Sequence, residues 1–254
     1  MNIPNSHPRY KSLKTREKIV NSYKDGYVAA EGLIAHGRGE AFDYLLGETM
    51  DIYSADAIRA AACLMLNAKY PVISVNGNAA SLVPDEIIEL SKIVNAKIEI
   101  NLFYRTEQRE LSIYNTLIEH GANEILGIDK RNSTKLPEPD SDRRIVDKNG
   151  IFISDVVLIP LEDGDRTESL IKMGKKVIAI DLNPLSRTSM IADITIVNNI
   201  IRVMPELIKE SKYFRDNNKK CNSILNDFDN KKNVAGSIET IKDNLLKKYN
   251  ELYR

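Results

Sequence analysis

The sequence predicts an α/β protein, a parallel sheet flanked by helices, with a helical segment before it and a helical tail after it. Three observations carry this. From residue 70 onward, short apolar β-branched runs alternate with helical stretches, as strands buried on both faces require. The chain before residue 70 reads as helices and glycine-rich turns. The last 50 or so residues are rich in Lys and Asn and carry an apolar stripe at helical spacing. The organisation expected is one α/β domain over 1–208, with an N-terminal helical region (1–69) and a sheet core (70–208), then a helical extension over 209–254.

Each element has a local reason. Ser12 suits the N-cap of a first helix that Gly26 ends. GLIAHGRGEAFDYLLGE (32–48) follows, and its glycines at 32, 37, 39 and 47 suggest close approach of backbone to a ligand. Ser54 suits the cap of an alanine-rich helix reaching about Asn67. PVISVN (71–76) reads as a strand, a helix starts near Pro84, and KIEINLF (97–103) is the next strand. A helix runs from about Thr106 to Gly121. KRNSTKLPEPDSDRRIVDKNG (130–150) is polar and contains prolines, which predicts a long surface excursion. DVVLIP (155–160), a helix from Asp165 to Gly174, KVIAID (176–181) and DITIV (193–197) complete the core. Asp165 with Glu168 fits a capping arrangement, and Gly174 fits the position just past the helix. In the tail, Ile238, Ile241, Leu245, Tyr249 and Leu252 should lay one face on the body or on a partner subunit.

Composition removes several function classes. The 254 residues carry 36 Lys+Arg against 36 Asp+Glu, and this neutrality argues against a nucleic-acid partner. No run approaches the roughly 18 apolar residues of a membrane span, and MNIPNSHPRYKS lacks the apolar stretch of a signal peptide. Cys63 and Cys221 stand 158 positions apart with no CxxC pair, which argues against a disulfide and a cysteine zinc site and for a reducing compartment. Charge is nevertheless uneven. Residues 1–26 hold Arg9, Lys11, Lys14, Arg16, Lys18 and Lys24 against Glu17 and Asp25, a local +4.

In open parallel sheets, ligands bind beyond the carboxyl ends of the strands. Those ends are unusually polar here: Asn76-Gly77-Asn78, Asn101 with Arg105, Glu162 through Arg166, Asp181-Leu182-Asn183, and Asn198-Asn199. Within DLNPLSRTS (181–189), Asp181 can accept ribose hydroxyls or face a metal-bridged phosphate, and Ser186 can cap a following helix. Arg187 in a first helical turn runs against the helix dipole, so an anion is its natural partner; pairing with an acidic residue elsewhere is the alternative. HGRGEAFDYLLGE (36–48) has neither P-loop nor Rossmann glycine spacing, yet His36 and Arg38 between glycines suit phosphate oxygens. Glu40 and Asp43 suit magnesium or simply balance Arg38, while His7 and Arg9 form a second donor cluster. His120, ahead of Gly121, reads as a histidine at a helix C-terminus.

Taken together, IPNSHPRYKSLKTREKIV, GLIAHGRGEAFDYLLGE, PVISVNGNAA, INLFYRTEQRE, LIPLEDGDRTESLIKMGKKVIAIDLNPLSRTS and ITIVNNIIR closely resemble archaeal phosphopantothenate synthetase, also called 4-phosphopantoate–β-alanine ligase. The resemblance runs from Ile3 to about Leu207. It implies a cytoplasmic, homodimeric enzyme of coenzyme A biosynthesis with a Rossmann-like core. Such an enzyme joins 4-phosphopantoate to β-alanine with ATP and Mg²⁺, giving 4′-phosphopantothenate, AMP and pyrophosphate. Matched motif by motif, it implies ATP contacts at Arg16, Arg38, Asp181, Leu182, Asn183, Arg187, Thr188, Asn199 and Ile200.

A carboxylate is a poor electrophile, so the resemblance implies attack by the phosphopantoate carboxylate on the α-phosphorus, then attack by the β-alanine amine on the acyl adenylate. Positioning and charge neutralisation dominate such chemistry, which suits Arg16, Arg38 and Arg187 with Mg²⁺. The substrate phosphate needs its own cations, for which His7, Arg9, His36 and Arg105 are the candidates. His36 or water takes the amine proton. Rival readings are a small-acid kinase, which would release ADP, and a non-catalytic nucleotide-binding module. An NAD enzyme is disfavoured, because no glycine fingerprint follows the first strand.

Overall fold

The computed structural model describes residues 4–7, 9–138 and 141–253. Eleven α-helices and seven strands are found among them. Three helices come first: α1 (Tyr10–Lys24), α2 (Ala30–Leu46) and α3 (Ile52–Asn67). Then come β1 (Pro71–Val75), α4 (Gly77–Leu82), α5 (Pro84–Val94), β2 (Lys97–Ile100) and α6 (Glu107–Glu119). A hairpin of β3 (Ser133–Lys135) and β4 (Ile145–Asp147) precedes β5 (Val156–Pro160), α7 (Gly164–Lys172), β6 (Lys176–Ile180), α8 (Arg187–Ile191) and β7 (Ile194–Ile196). The chain closes with α9 (Ile200–Asp216), α10 (Cys221–Asp227) and α11 (Asn230–Leu252).

The main sheet is parallel throughout, in the order β2-β1-β5-β6-β7. Strand residues alternate between its faces, as the pleat demands. Ile73, Val75, Leu158, Ile178 and Ile180 point to the face covered by α3, α5 and α9. Val72, Val157, Ile159, Val177 and Ala179 point to the other, beneath Leu136, Val146, Ile151 and Leu170. Each fully buried Leu or Ile contributes about 1.5–3 kcal/mol. Most strand positions are buried on both sides, which is why their sequences read as unbroken apolar runs.

Several expectations need correcting. Residues 130–150 are no surface excursion. They carry the β3–β4 hairpin, and Leu136 and Val146, with Ile151 just beyond, roof one face of the sheet. So few apolar residues, spread over three-residue strands, leave no periodicity to detect. Residues 32–46 are not glycine-broken loop but the greater portion of the continuous helix α2. Caps also shift. Asp51, not Ser54, caps α3, and Asp163 rather than Asp165 caps α7, each carboxylate accepting the N–H three residues on. Helix α1 already begins at Tyr10, although Gly26 does close its end in the left-handed region. Finally, Cys63 and Cys221 are joined by a disulfide with Cα atoms 5.0 Å apart. Separation along the chain says nothing about separation once α10 packs on α3.

The expected start of the extension at 209 falls inside α9, which runs unbroken to Asp216. Helix α11 then completes the sheet edge. Asn230 accepts the Thr195 N–H at 2.7 Å, and the Asn233 amide donates to the Thr195 carbonyl at 2.7 Å. Side-chain amides thus satisfy the β7 backbone that faces no further strand. Of the apolar stripe, Ile241 packs with Leu46, Leu182, Val197 and Val234, whereas Leu245, Tyr249 and Leu252 remain exposed.

Candidate active site at the strand ends

The chain leaves β1 in one direction to form β2 and returns beside β1 as β5, so the order reverses between these two strands. That reversal opens a crevice at their carboxyl ends. Asn76 spans it: its amide donates to the Pro160 carbonyl at 2.8 Å, and its Oδ1 caps α4. Leu161, the first residue past β5, adopts φ +55, a left-handed conformation that bulky side chains rarely take. A cleft of about 380 Å³ lies here, walled by α2, the β1–α4 turn, the loop after β2, Arg109, Arg143 and the residues after β5.

Helix α2 lies across these strand ends, and two of its glycines make the crossing close. At one end Gly32 faces Asn78, whose amide donates to the Gly32 carbonyl at 2.9 Å; a Cβ there would collide with Asn78 Oδ1. Further along, Gly39 rests on Leu182, where a Cβ would come within 3.3 Å of Cδ1. Toward its C-terminus, Asp43 accepts the Asn199 amide at 2.7 Å and pairs with Arg202. One helix therefore bridges the β1/β5 crevice and the ends of β6 and β7. Gly32 and Gly39 thus serve helix packing, whereas a Cβ at Gly37 would meet nothing within 4 Å.

Most of the residues expected to bind nucleotide gather at the second of these places. Asp181 accepts the Asn183 N–H at 2.9 Å and the Ser186 hydroxyl, and burial raises its pKa. Arg38 lines the cleft close enough to Asp181 to favour its ionised form. Leu182 is buried, and Asn183 holds the following turn through the Leu185 N–H at 2.9 Å. Asn199 caps α9, whose first residue is the buried Ile200. Thr188 donates to the Glu162 carbonyl at 3.0 Å and so ties this loop to the cleft. Ser186 caps α8 as expected. Arg187, in contrast, is half-exposed and paired with Asp165.

Arg16 reaches from α1 to Glu40 at 2.9 Å, and His36 Nε2 stands 3.9 Å from the other oxygen of that carboxylate. His36 Nε2 is buried without a hydrogen-bond partner, and burial lowers the ring pKa, which favours the neutral form. Three expected substrate contacts lie elsewhere. The Arg105 guanidinium is occupied by Glu110 and by the carbonyls of Gly127 and Ile145, holding the 126–145 segment in place. His7 accepts the Arg9 N–H at 3.0 Å, and Arg9 lies 6.0 Å from the centre of the Tyr44 ring. None of the three lines the cleft. His120 pairs with Asp85 at 2.7 Å at the end of α6.

Beneath the cleft sits a buried ionic cluster. Glu162 is buried between Arg143 and Arg166, and burial raises its pKa while the two guanidiniums oppose that shift. Asp163 stands 3.2 Å from Arg143. Asn78, Arg109 and Arg143 line the cleft although the sequence does not single them out as binding residues. In sequence, Asn78 is visible only within a polar strand end. Arg109 looks like any charge in an amphipathic helix, and Arg143 sits in the segment whose pattern suggests a surface excursion.

The fold and site thus define an α/β protein of doubly wound type, with a polar, arginine-lined crevice at its strand ends beside the 181–188 loop. The sequence profile described as Phosphopantothenate/pantothenate synthetase matches residues 53–244, so the chain belongs to that family. A Thermococcus kodakarensis protein named 4-phosphopantoate–β-alanine ligase is 51% identical over 250 residues, covering 97% of this chain and 95% of that one. A Methanosarcina mazei protein of the same name is 46% identical over 244 residues, covering 96% and 95%. Both alignments continue well past Leu207, so the resemblance reaches into the C-terminal helices. Among the described residues, no helix is long and apolar enough to cross a membrane.

Proposed function

We propose that this chain condenses 4-phosphopantoate with β-alanine in two half-reactions. The carboxylate oxygen of phosphopantoate attacks the ATP α-phosphorus and expels pyrophosphate. The β-alanine amine, having lost a proton, then attacks the acyl carbon and expels AMP. The observation that carries this reading is the place of Arg38, shared by the cleft and by the surroundings of Asp181. A carboxylate lying in the cleft and a nucleotide lying on the 181–188 loop meet beside that guanidinium, where charge develops during transfer.

On this reading Asp181 through Asn183, Thr188, Asn199 and Ile200 shape the nucleotide pocket, and Arg16, Arg38 and Arg187 neutralise phosphates. Arg16 and Arg187 would exchange Glu40 and Asp165 for phosphate oxygens. His36, neutral and unpartnered at Nε2, suits the amine proton. No group of three or more His, Cys, Asp or Glu able to cage a metal occurs among the described residues. The donor set fits Mg²⁺ carried on nucleotide phosphates, with Asp181 as the nearby carboxylate; bound there, the ion supplies charge neutralisation. Family membership further supports a cytoplasmic homodimer. The test is product analysis with ATP, phosphopantoate and β-alanine. AMP and pyrophosphate in equal amounts are expected; ADP would make the chain a kinase, and no turnover would make it a binding module.

A further inference from the structure

The cleft carries Arg38, Arg109 and Arg143 against Glu31, Glu162 and Asp163, so its charges balance in number but are not all paired, Glu31 acting on Arg109 only from beyond ion-pair distance. Arg143 and Arg166 are offset by Glu162 and Asp163, with Arg143 also lying 5.9 Å from the centre of the Phe103 ring. His36 is held toward its neutral form by burial. Two cations of the cleft remain without an ion pair among the described residues, Arg38 and Arg109. Arg38 is exposed beside Asp181. Arg109 is half-buried and held in a different way.

The Arg109 guanidinium donates to two backbone carbonyls, those of Tyr104 and, at 3.2 Å, of Tyr27, while its buried Nε has no partner. Its seat is built into the backbone. A Cβ on Gly77 would run into the Tyr27 carbonyl and come within 3.3 Å of Arg109 Nη2. Neutral carbonyls orient a guanidinium without cancelling its charge. A cation withdrawn from water without an ion pair is costly, and an anion entering the cleft removes that cost.

The substrate assigned above carries an anion at each end. Its carboxylate has to reach the α-phosphorus, which places that end near Arg38 and the 181–188 loop. Its phosphate must then point the other way, toward the β1–α4 turn. We infer that Arg109 is the anchor for the phosphomonoester of the acid substrate, and that it makes the enzyme select a phosphorylated acid over its unphosphorylated counterpart. The matched family is described as covering both phosphopantothenate and pantothenate synthetase, and a half-buried guanidinium without an ion pair is the feature an unphosphorylated acid would leave uncompensated. The inference rests on the ligase reading.

Two measurements test it. Calorimetric titration of wild type, Arg109→Met and Arg109→Lys with phosphopantoate, pantoate and ATP reads binding whether or not turnover occurs. Loss of one charge-assisted contact should weaken phosphopantoate binding about 10- to 100-fold in Arg109→Met. Arg109→Lys should recover some of this, while pantoate and ATP binding stay within about twofold. Equal losses for phosphopantoate and pantoate would reduce Arg109 to a structural role, and no loss would remove it from the site. Should Arg109→Met fail to fold, modification of wild type by phenylglyoxal with peptide mapping decides. Phosphopantoate, but neither pantoate nor ATP, should protect Arg109; unprotected labelling overturns the inference. If wild type binds phosphopantoate through Arg109 yet forms no AMP, the ligase reading fails and the anchor stands.

Discussion

At the scale of single residues, burial decides which groups are available for chemistry. His36 is an ordinary histidine in sequence, but the packed α2 wall depresses its pKa below the usual 6.5 and leaves Nε2 unpartnered. The neutral imidazole is therefore favoured at neutral pH, and base-dependent steps should slow only as pH falls below the ordinary histidine range. His36→Gln should slow amide formation about 10²- to 10⁴-fold and leave adenylate formation nearly unchanged. Rapid-quench measurement of the two half-reactions checks this; equal rates in both proteins would clear His36 of the role. Arg105 teaches the converse. Its place after a strand points to substrate, yet three protein acceptors consume it.

At the scale of elements, helices that look peripheral in sequence position the site. Helix α2 is legible as an apolar, glycine-bearing stretch, but Gly32 and Gly39 signal close packing against Asn78 and Leu182. Helix α11 seats on the body in the same way, with Gly236 against the Tyr53 ring on α3, where a Cβ would overlap ring carbons. Gly236→Ala should push α11 off α3, loosen the Asn230 and Asn233 contacts to β7, and destabilise the fold by about 1–3 kcal/mol. Urea unfolding of the variant measures it. An unchanged midpoint would mean that α11 contributes little to the body.

At the scale of the whole molecule, one buried carboxylate joins the sheet edge to the hairpin segment. Glu99 on β2 accepts the N–H groups of Asp147 at 3.0 Å and Ile151 at 2.6 Å. Burial nevertheless dominates and raises its pKa from 4.5 to about 7. The folded state therefore holds this proton more tightly than the unfolded chain does. Stability from this group is complete below about 4.5 and is lost as pH rises to about 7, by as much as ~3 kcal/mol. Denaturant unfolding across that range should show the decline, and Glu99→Gln should flatten it; a parallel decline in the variant would assign the effect elsewhere. The Cys63–Cys221 link acts at the same scale, closing a loop between residues 158 apart.

By itself the sequence determined the class of fold, the positions of the five parallel strands, the polar strand ends and, through its ordered motifs, the family. Those properties are local: a strand buried on both faces must be apolar along its length, and a loop that meets a ligand must be polar. Tertiary structure alone decided the strand order that opens the β1/β5 crevice, the roofing role of residues 130–150, the disulfide, and the charge state of the cleft. Arg105, Arg109, Arg143 and Arg187 are indistinguishable as letters. Three are paired with carboxylates and one is held only by backbone carbonyls, because the free energy of a charge is set by neighbours distant in the chain and adjacent in space.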